Sequence, residues 1–336
     1  MLSLLNYKDK IDAELEAFFA GKLNGAVGIE KTVIEELRKF TMRGGKRIRP
    51  IFMAMGYLLN GNLEEKVLRA SISLELMQSY MLILDDLIDR SELRRNAPTM
   101  HRSFKFDEQT SMGLAIIAAH LANAYCHEVL IKSDFAVGRL HDALISLENA
   151  FEITGLGQLN DLTLPFEKKA TAEAVTKVHK LKTAEYTIGG PMKVGASLSG
   201  YDRKDTIDSY AIPLGIAFQM QDDILGLFGD EKTLGKSVKS DVMEGKITHL
   251  VVYAMERVPT EDAEFLKKML GNKDITDKEF ERFKDIIRRS GGLEASEKEI
   301  KLQYAKALDA IPLLTGDSAK AEELKILAGK MINRSS

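Results

Sequence analysis

The chain carries one cysteine, Cys126, in 336 residues. A single thiol can form neither an internal disulfide nor a zinc–thiolate cluster, so a disulfide scaffold is excluded and a reducing compartment is expected. Proline is scarce as well, with 7 residues, where an average chain has roughly 5%. So few helix breakers point to a mostly helical protein. Charge of one sign is not in excess: Lys+Arg is 47, Asp+Glu is 50, and the formal net charge is −3. That balance argues against a protein whose main work is to coat nucleic acid or an acidic membrane surface. Long apolar runs are also missing. The most apolar stretch, around Met112–Tyr125, contains His120 and falls short of the roughly 20 apolar residues that a spanning helix needs. The opening residues, MLSLLNYKDKID, turn charged almost at once and lack a signal-peptide layout. The chain therefore reads as soluble and cytoplasmic, with no nucleic-acid partner.

What is present is a globular composition, 45% hydrophobic and 29% charged. Apolar and charged residues alternate at helical spacing through most of the sequence, clearly over Leu63–Asp89, Gly113–Ile131, Ala172–Ile188 and Asp205–Phe228. Between Gly138 and Leu164 the pattern reads as two helices, ending at Ile153 and resuming at Leu156. Gly189–Pro191 is expected to break or bend the helix before it, and Pro213 to kink the one around it. No run shows strand periodicity bounded by turn residues, and there is no low-complexity linker or solenoid repeat. Long apolar helices need one another's faces to be buried. The expectation is one all-α domain over residues 1–336, a bundle of about a dozen helices. A more charged helical layer is expected from about residue 252.

Three constellations carry chemistry. Asp85, Asp86 and Asp89 lie in ILDDLIDR, at the end of an apolar run. Asp85 and Asp89 stack one turn apart on one helix face. Asp222 and Asp223 follow a second apolar run in FQMQDDILG. Each set reads either as a solvated helix end or as carboxylate oxygens for a hard divalent cation. Mg²⁺ prefers a few carboxylates completed by substrate phosphates. A phosphorylated ligand follows from the second alternative. The third constellation is Gly44, Gly45, Lys46, Arg47 and Arg49. Two glycines let backbone approach a ligand, and clustered cations suit a diphosphate, although a solvated basic loop would look the same. Arg94, Arg95, Lys182, Lys236 and Lys246 add further positive charge.

Taken together and in order, GGKRIRP, QSYMLILDDLIDRSELRRNAPTMH, GQLNDL, KTAEY and FQMQDDILGLFGDEKTLGK resemble the trans-type isoprenyl diphosphate synthases, or polyprenyl synthetases. The resemblance covers roughly Glu30 to Val251, the motif-bearing core. It implies an all-α isoprenoid-synthase bundle around a deep cavity, with the two aspartate-rich motifs facing each other. It implies that Asp85, Asp86, Asp89, Asp222 and Asp223 hold an allylic diphosphate through three Mg²⁺, with Mn²⁺ a possible substitute. Arg94, Lys182 and Lys236 match positions that contact that diphosphate. Lys46, Arg49, Gln78 and Arg95 match positions that bind isopentenyl diphosphate, and Lys246 is taken with the substrate-binding set. Lys182, Thr183 and Gln219 match residues whose dipoles support a carbocation, and Gln158 and Asp161 match the element behind the metal site. A homodimer is implied as well.

Two departures stand out. Gly226 occupies the last position of a second motif that often ends in Asp, and Asn96 replaces a glycine after the arginine pair. A terpene cyclase would share the first aspartate motif but lack the GGKR loop. A non-catalytic subunit would not keep these charged residues. A di-iron bundle would need Glu three residues before His, and none of the 6 His has it. Product length follows from Tyr80 and Met81. One aromatic ahead of an uninterrupted DDLID resembles the prokaryotic geranylgeranyl pattern. A twenty-carbon product is the expectation, with a farnesyl or longer chain as the alternative.

Overall fold

Residues 7–167, 170–230 and 237–333 are described by the structure, a computed structural model. They divide into two compact units, one comprising Met1–Leu147 and Pro191–Asp202, the other Glu148–Gly190 and Arg203–Ser336. Among the described residues every regular element is helical except one hairpin of two-residue strands, β1 (Leu93–Arg94) and β2 (Ala97–Pro98). The all-α expectation holds.

The first unit contains α1 (Tyr7–Leu23), α2 (Gly28–Met42), α3 (Ile48–Leu58), α4 (Glu65–Ile88), α5 (Met100–Ser103) and α6 (Glu108–Ile131). It also takes the start of α7 (Val137–Thr163) and most of α9 (Gly190–Ser199). Helix α4 is its core element. It has no glycine or proline, and residues such as Leu68, Leu74, Leu76, Met77 and Ile83 are buried on several sides, against α1, α2, α3 and α6. It stops at Asp89, because Arg90 turns left-handed with φ 54°. Helix α6 begins where the Asp107 carboxylate caps the Thr110 amide. Both α4 and α6 have 24 residues and are apolar enough, by length and composition, to cross a bilayer. The stretch Met112–Tyr125 is only the middle of α6. Of α4's apolar window 67% is buried inside the protein, against 39% for α6. Helix α6 leaves Met112, Ile116 and Ile117 exposed.

The second unit holds the rest of α7, then α8 (Ala172–Val178), a π-helix (His179–Gly189), α10 (Ile207–Phe228), α11 (Ser240–Met243), α12 (His249–Met255), α13 (Thr260–Met269), α14 (Asp277–Arg289), α15 (Gly292–Asp309), α16 (Ile311–Leu314) and α17 (Ser318–Ile332). Helix α10 packs on the π-helix and on α15. The later helices share a core with the end of α10. Leu227, Val251, Leu266, Phe283 and Ile287 share one hydrophobic cluster. Helix α14 is well specified locally, with a Thr276–Glu279 capping box, acids in its first turn and arginines in its last.

The expected interruption between Ile153 and Leu156 is absent. Helix α7 runs unbroken through Gly155 and Gly157. The chain continues helically through Gly189–Pro191, and α10 runs through Pro213. The glycines serve close contact instead. A Cβ on Gly157 would lie 2.5 Å from the Lys182 amide nitrogen, and one on Gly190 would lie 2.6 Å from the Ala150 Cβ. Helices α11 and α12 are separated at Gly245, which turns left-handed with φ 77°.

Candidate active site

In the first unit the last turn of α4 presents its aspartates. Asp86 is fully buried, Asp85 and Asp89 are partly open. Arg94, on β1, donates from Nε to Asp86 Oδ1 at 2.7 Å and lies 3.6 Å from Asp85 Oδ2. The second Asp86 oxygen, Oδ2, is buried with no hydrogen-bond partner among the described residues. Burial pushes the Asp86 carboxyl above the ordinary range in spite of Arg94. A bound cation would reverse that and satisfy Oδ2.

The hairpin aims the arginine pair. Its turn residues, Arg95 and Asn96, both have positive φ, 52° and 58°, the requirement of a two-residue hairpin turn. Asparagine tolerates that conformation, so Asn96 replaces glycine at little cost. Arg95 donates to the carbonyls of Arg43 and Gly44 at 2.7 and 2.9 Å. Gly45 lies over its guanidinium, where a Cβ would come to 3.2 Å. Burial, along with nearby Arg47, Arg94 and Arg49, draws Arg95 below the usual guanidinium value, against the pull of Glu75. Crowded positive charge of this kind favours a bound anion. Gln78, Arg94 and Arg95 line one pocket, together with Arg43, Ser79 and Leu82.

Three residues of the GGKRIRP loop differ in availability. Arg47 is buried and committed to the protein: it binds Asp12 Oδ1 at 2.7 Å, Glu75 Oε2 at 2.6 Å and the Thr41 carbonyl at 3.0 Å. Lys46 is exposed and Arg49 half-buried. Tyr80 and Met81 lie half-buried on α4.

In the second unit the π-helix carries Lys182 and Thr183. Such π segments often mark functional sites. Lys182 Nζ donates to Asp161 Oδ2 at 2.7 Å, across the approach that Gly157 permits. Gln158, half-buried, is one residue beyond that glycine. Thr183 Oγ1 donates to Gln219 Oε1 at 2.8 Å, and Gln219 Nε2 donates to Asp223 Oδ1 at 3.0 Å. Lys246 Nζ reaches the same Oδ1 at 3.3 Å, and His179 Nε2 lies 3.2 Å from Oδ2. Asp223 is buried. Burial alone would raise its pKa, but Lys246 and His179 outweigh it and hold the carboxyl well below the ordinary range. Lys246 is correspondingly held well above the ordinary lysine value: burial opposes, and Asp223, Asp241 and Asp161 prevail. Asp222, by contrast, is half-buried. Gly226 is explained by Asp241: a Cβ at 226 would lie 2.4 Å from Asp241 Oδ2. Lys236 lies outside the described residues.

Sequence reasoning missed Arg43, Asp241 and His179. Arg43 stands directly before Gly44 and could have been counted with its loop; nothing in local periodicity marks the other two. Among the described residues no three His, Cys, Asp or Glu side chains converge into a complete metal cage. Carboxylates with a buried oxygen that no hydrogen bond satisfies, Asp86 Oδ2 and Asp223 Oδ2, fit a hard cation that substrate phosphates complete.

Comparison with known proteins agrees with this chemistry. The polyprenyl synthetase family model matches residues 30–287, and the chain belongs to that family of prenyltransferases. It is 31% identical to the short chain isoprenyl diphosphate synthase of Methanocaldococcus jannaschii, over 86% of this chain and 84% of that one. It is 32% identical to the geranylgeranyl diphosphate synthase of Saccharolobus solfataricus, over 77% of each. Its fold matches the crystal structure of geranylgeranyl pyrophosphate synthase from Corynebacterium glutamicum complexed with isoprenyl diphosphate and magnesium. The TM-score is 0.93, at 29% identity, covering 99% of this chain and 100% of that one.

Proposed function

We propose that the chain catalyses head-to-tail prenyl transfer. It joins isopentenyl diphosphate to a dimethylallyl, geranyl or farnesyl diphosphate, releases pyrophosphate, and makes mainly geranylgeranyl diphosphate. The observation that carries this reading is a helical Asp–Asp pair beside arginine or lysine in each unit, on a chain of the polyprenyl synthetase family.

In this reading Asp85, Asp86, Asp89, Asp222 and Asp223 would hold magnesium, three ions per site, with manganese able to substitute. The metal, when bound, neutralises charge that develops on the departing pyrophosphate. Arg94, Lys182 and Lys236 bind the allylic diphosphate, with Asp161 steadying Lys182. Lys46, Arg49, Gln78 and Arg95 bind isopentenyl diphosphate, and Lys246 adds charge beside Asp223. Thr183 gives its hydroxyl hydrogen to Gln219, so only its lone pairs remain to face a carbocation. The proton lost after addition goes to pyrophosphate, and no Ser–His or Cys–His pairing is required. Tyr80 and Met81 set the length at which elongation stops.

The full chain acts as a single synthase domain. It works as a cytoplasmic homodimer, a state supported by the exposed Met112, Ile116 and Ile117 on α6. The test is incubation with labelled isopentenyl diphosphate, each allylic primer and Mg²⁺, followed by chromatography of the dephosphorylated products. Geranylgeraniol as the main product is the expected result. Farnesol or a longer alcohol corrects the length alone. A cyclic hydrocarbon, or no transfer from any primer, overturns the reading.

A further inference from the structure

His179 opens the π-helix three residues before Lys182, and it is buried with only 4% of its side chain exposed. Prenyl transfer by the residues already named requires no histidine there, and burying a polar ring carries a cost unless it has polar partners. Its Nε2 lies 3.2 Å from Asp223 Oδ2. This is a polar contact short of an aligned hydrogen bond, and neither Oδ2 nor His179 Nδ1 has another partner among the described residues. The opposite oxygen of the same carboxylate takes Gln219 and Lys246. Three groups thus surround Asp223, and His179 alone serves the Oδ2 side.

That carboxylate governs what lies beyond it. An amide has one donating and one accepting end. Because Asp223 takes the Gln219 N–H, the Gln219 Oε1 is turned to Thr183, and Thr183 must donate to it. If the carboxylate rotated, the amide could flip and the Thr183 hydroxyl could swing a hydrogen, in place of lone pairs, toward a developing cation. His249 closes the far side. Its ring meets that of His179 edge to face, with centroids 4.9 Å apart, and its Nε2 is engaged with Thr176 Oγ1 at 2.9 Å. The His179 ring is held between His249 and Asp223.

We propose that His179 is a positioning residue for prenyl transfer, fixing the Asp223 carboxylate and, through Asp223 and Gln219, the hydroxyl orientation of Thr183. This rests on the proposed function and adds a residue to it. The Nε2 atom must carry a hydrogen, since a bare nitrogen facing a carboxylate would be repelled. Loss of a group that orients a functional side chain typically costs about 10- to 100-fold in activity. The effect should fall on kcat, because the orientation matters most when positive charge forms.

The experiment measures kcat, both KM values and Tm for wild type, His179→Leu and His179→Gln, each with Thr183 intact and with Thr183→Ala. His179→Leu should lose about 10- to 100-fold in kcat, with the KM for isopentenyl diphosphate unchanged. His179→Gln, whose amide can still donate, should recover most of it. In the Thr183→Ala background the leucine exchange should cost little more, because the effect passes through that hydroxyl. Wild-type kcat in His179→Leu, or an equal loss in both backgrounds, overturns the inference. Nitrogen NMR of the wild-type histidines gives a readout that needs no leucine variant to fold. The signal lost in His179→Gln should report a hydrogen on Nε2, and a neutral Nδ1–H ring overturns the inference. An inactive wild type overturns the functional reading instead.

Discussion

At the scale of single residues, the aspartates of each motif divide by exposure. Asp86 and Asp223 are buried and bound to Arg94, Gln219 and Lys246, whereas Asp85 and Asp222 are partly open. Truncating an open carboxylate should therefore remove charge stabilisation without unfolding the chain. Asp85→Ala and Asp222→Ala are each expected to lose hundreds-fold in turnover, about 3–4 kcal/mol, as for other losses at a developing anion. Tm should stay near the wild-type value. Near-wild-type turnover in a folded variant of either kind would refute the metal assignment. Tyr80 supports a second expectation. Tyr80→Ala should lengthen the main product by at least one five-carbon unit, and an unchanged product pattern would place the stop elsewhere. These residues were legible because their motifs are contiguous in sequence and their charge is improbable in an apolar helix. His179 and Asp241 were not, since each meets its partner only in the folded chain, 44 residues away for His179 and Asp223 and 15 for Gly226 and Asp241. Arg47 reads as a ligand group from its neighbours in sequence, yet Asp12 and Glu75 claim it.

At the scale of elements, glycine is where reading and structure part. A glycine reads as punctuation, but a glycine that lets two helices touch carries the same letter. Gly157 against Lys182 is one case. Gly56 and Gly195 form another within the first unit. A Cβ on Gly56 would lie 2.0 Å from the Met192 carbonyl oxygen, and one on Gly195 would lie 1.8 Å from that of Met53. The contact is backbone on backbone, so no side chain can give way. Gly195→Ala should force α3 and α9 apart and cost about 1–3 kcal/mol or more, the range for overpacked cores. Gly113→Ala is the control: no atom lies within 4 Å of its Cβ position, and alanine favours helix there. Urea unfolding of both variants measures the difference, and equal midpoints would mean that the crossing can relax. The π-helix was equally illegible, because the one-residue change in its hydrogen bonding hardly alters an apolar pattern over 11 residues.

At the scale of the whole molecule, the buried histidines set how stability responds to acid. Burial, with His179 beside it, pushes His249 down to about 3 from an ordinary 6.5. Burial also lowers His101, with Arg102 adding to the effect. His249 is neutral in the folded chain where the unfolded chain takes up a proton, and His101 is shifted in the same direction. The depressed values contribute stability that is complete above about pH 6.5 and declines as pH falls toward 3. The depressed Asp223 acts in the same direction, but only below the ordinary carboxylate range. Asp86 has the opposite sign: its raised value means that protonation there favours the folded state as pH falls. Between pH 7 and 5 the histidines dominate. His249 alone should then cost about 2 kcal/mol of unfolding free energy, from one proton taken up by the unfolded chain. Urea unfolding at pH 7 and pH 5 is expected to show that loss in wild type. His249→Phe should show a clearly smaller loss, with His101 accounting for what remains. The same pH dependence in wild type and variant would mean that His249 is as accessible to protons folded as unfolded, and that the packing of His179, His249 and Thr176 opens in solution.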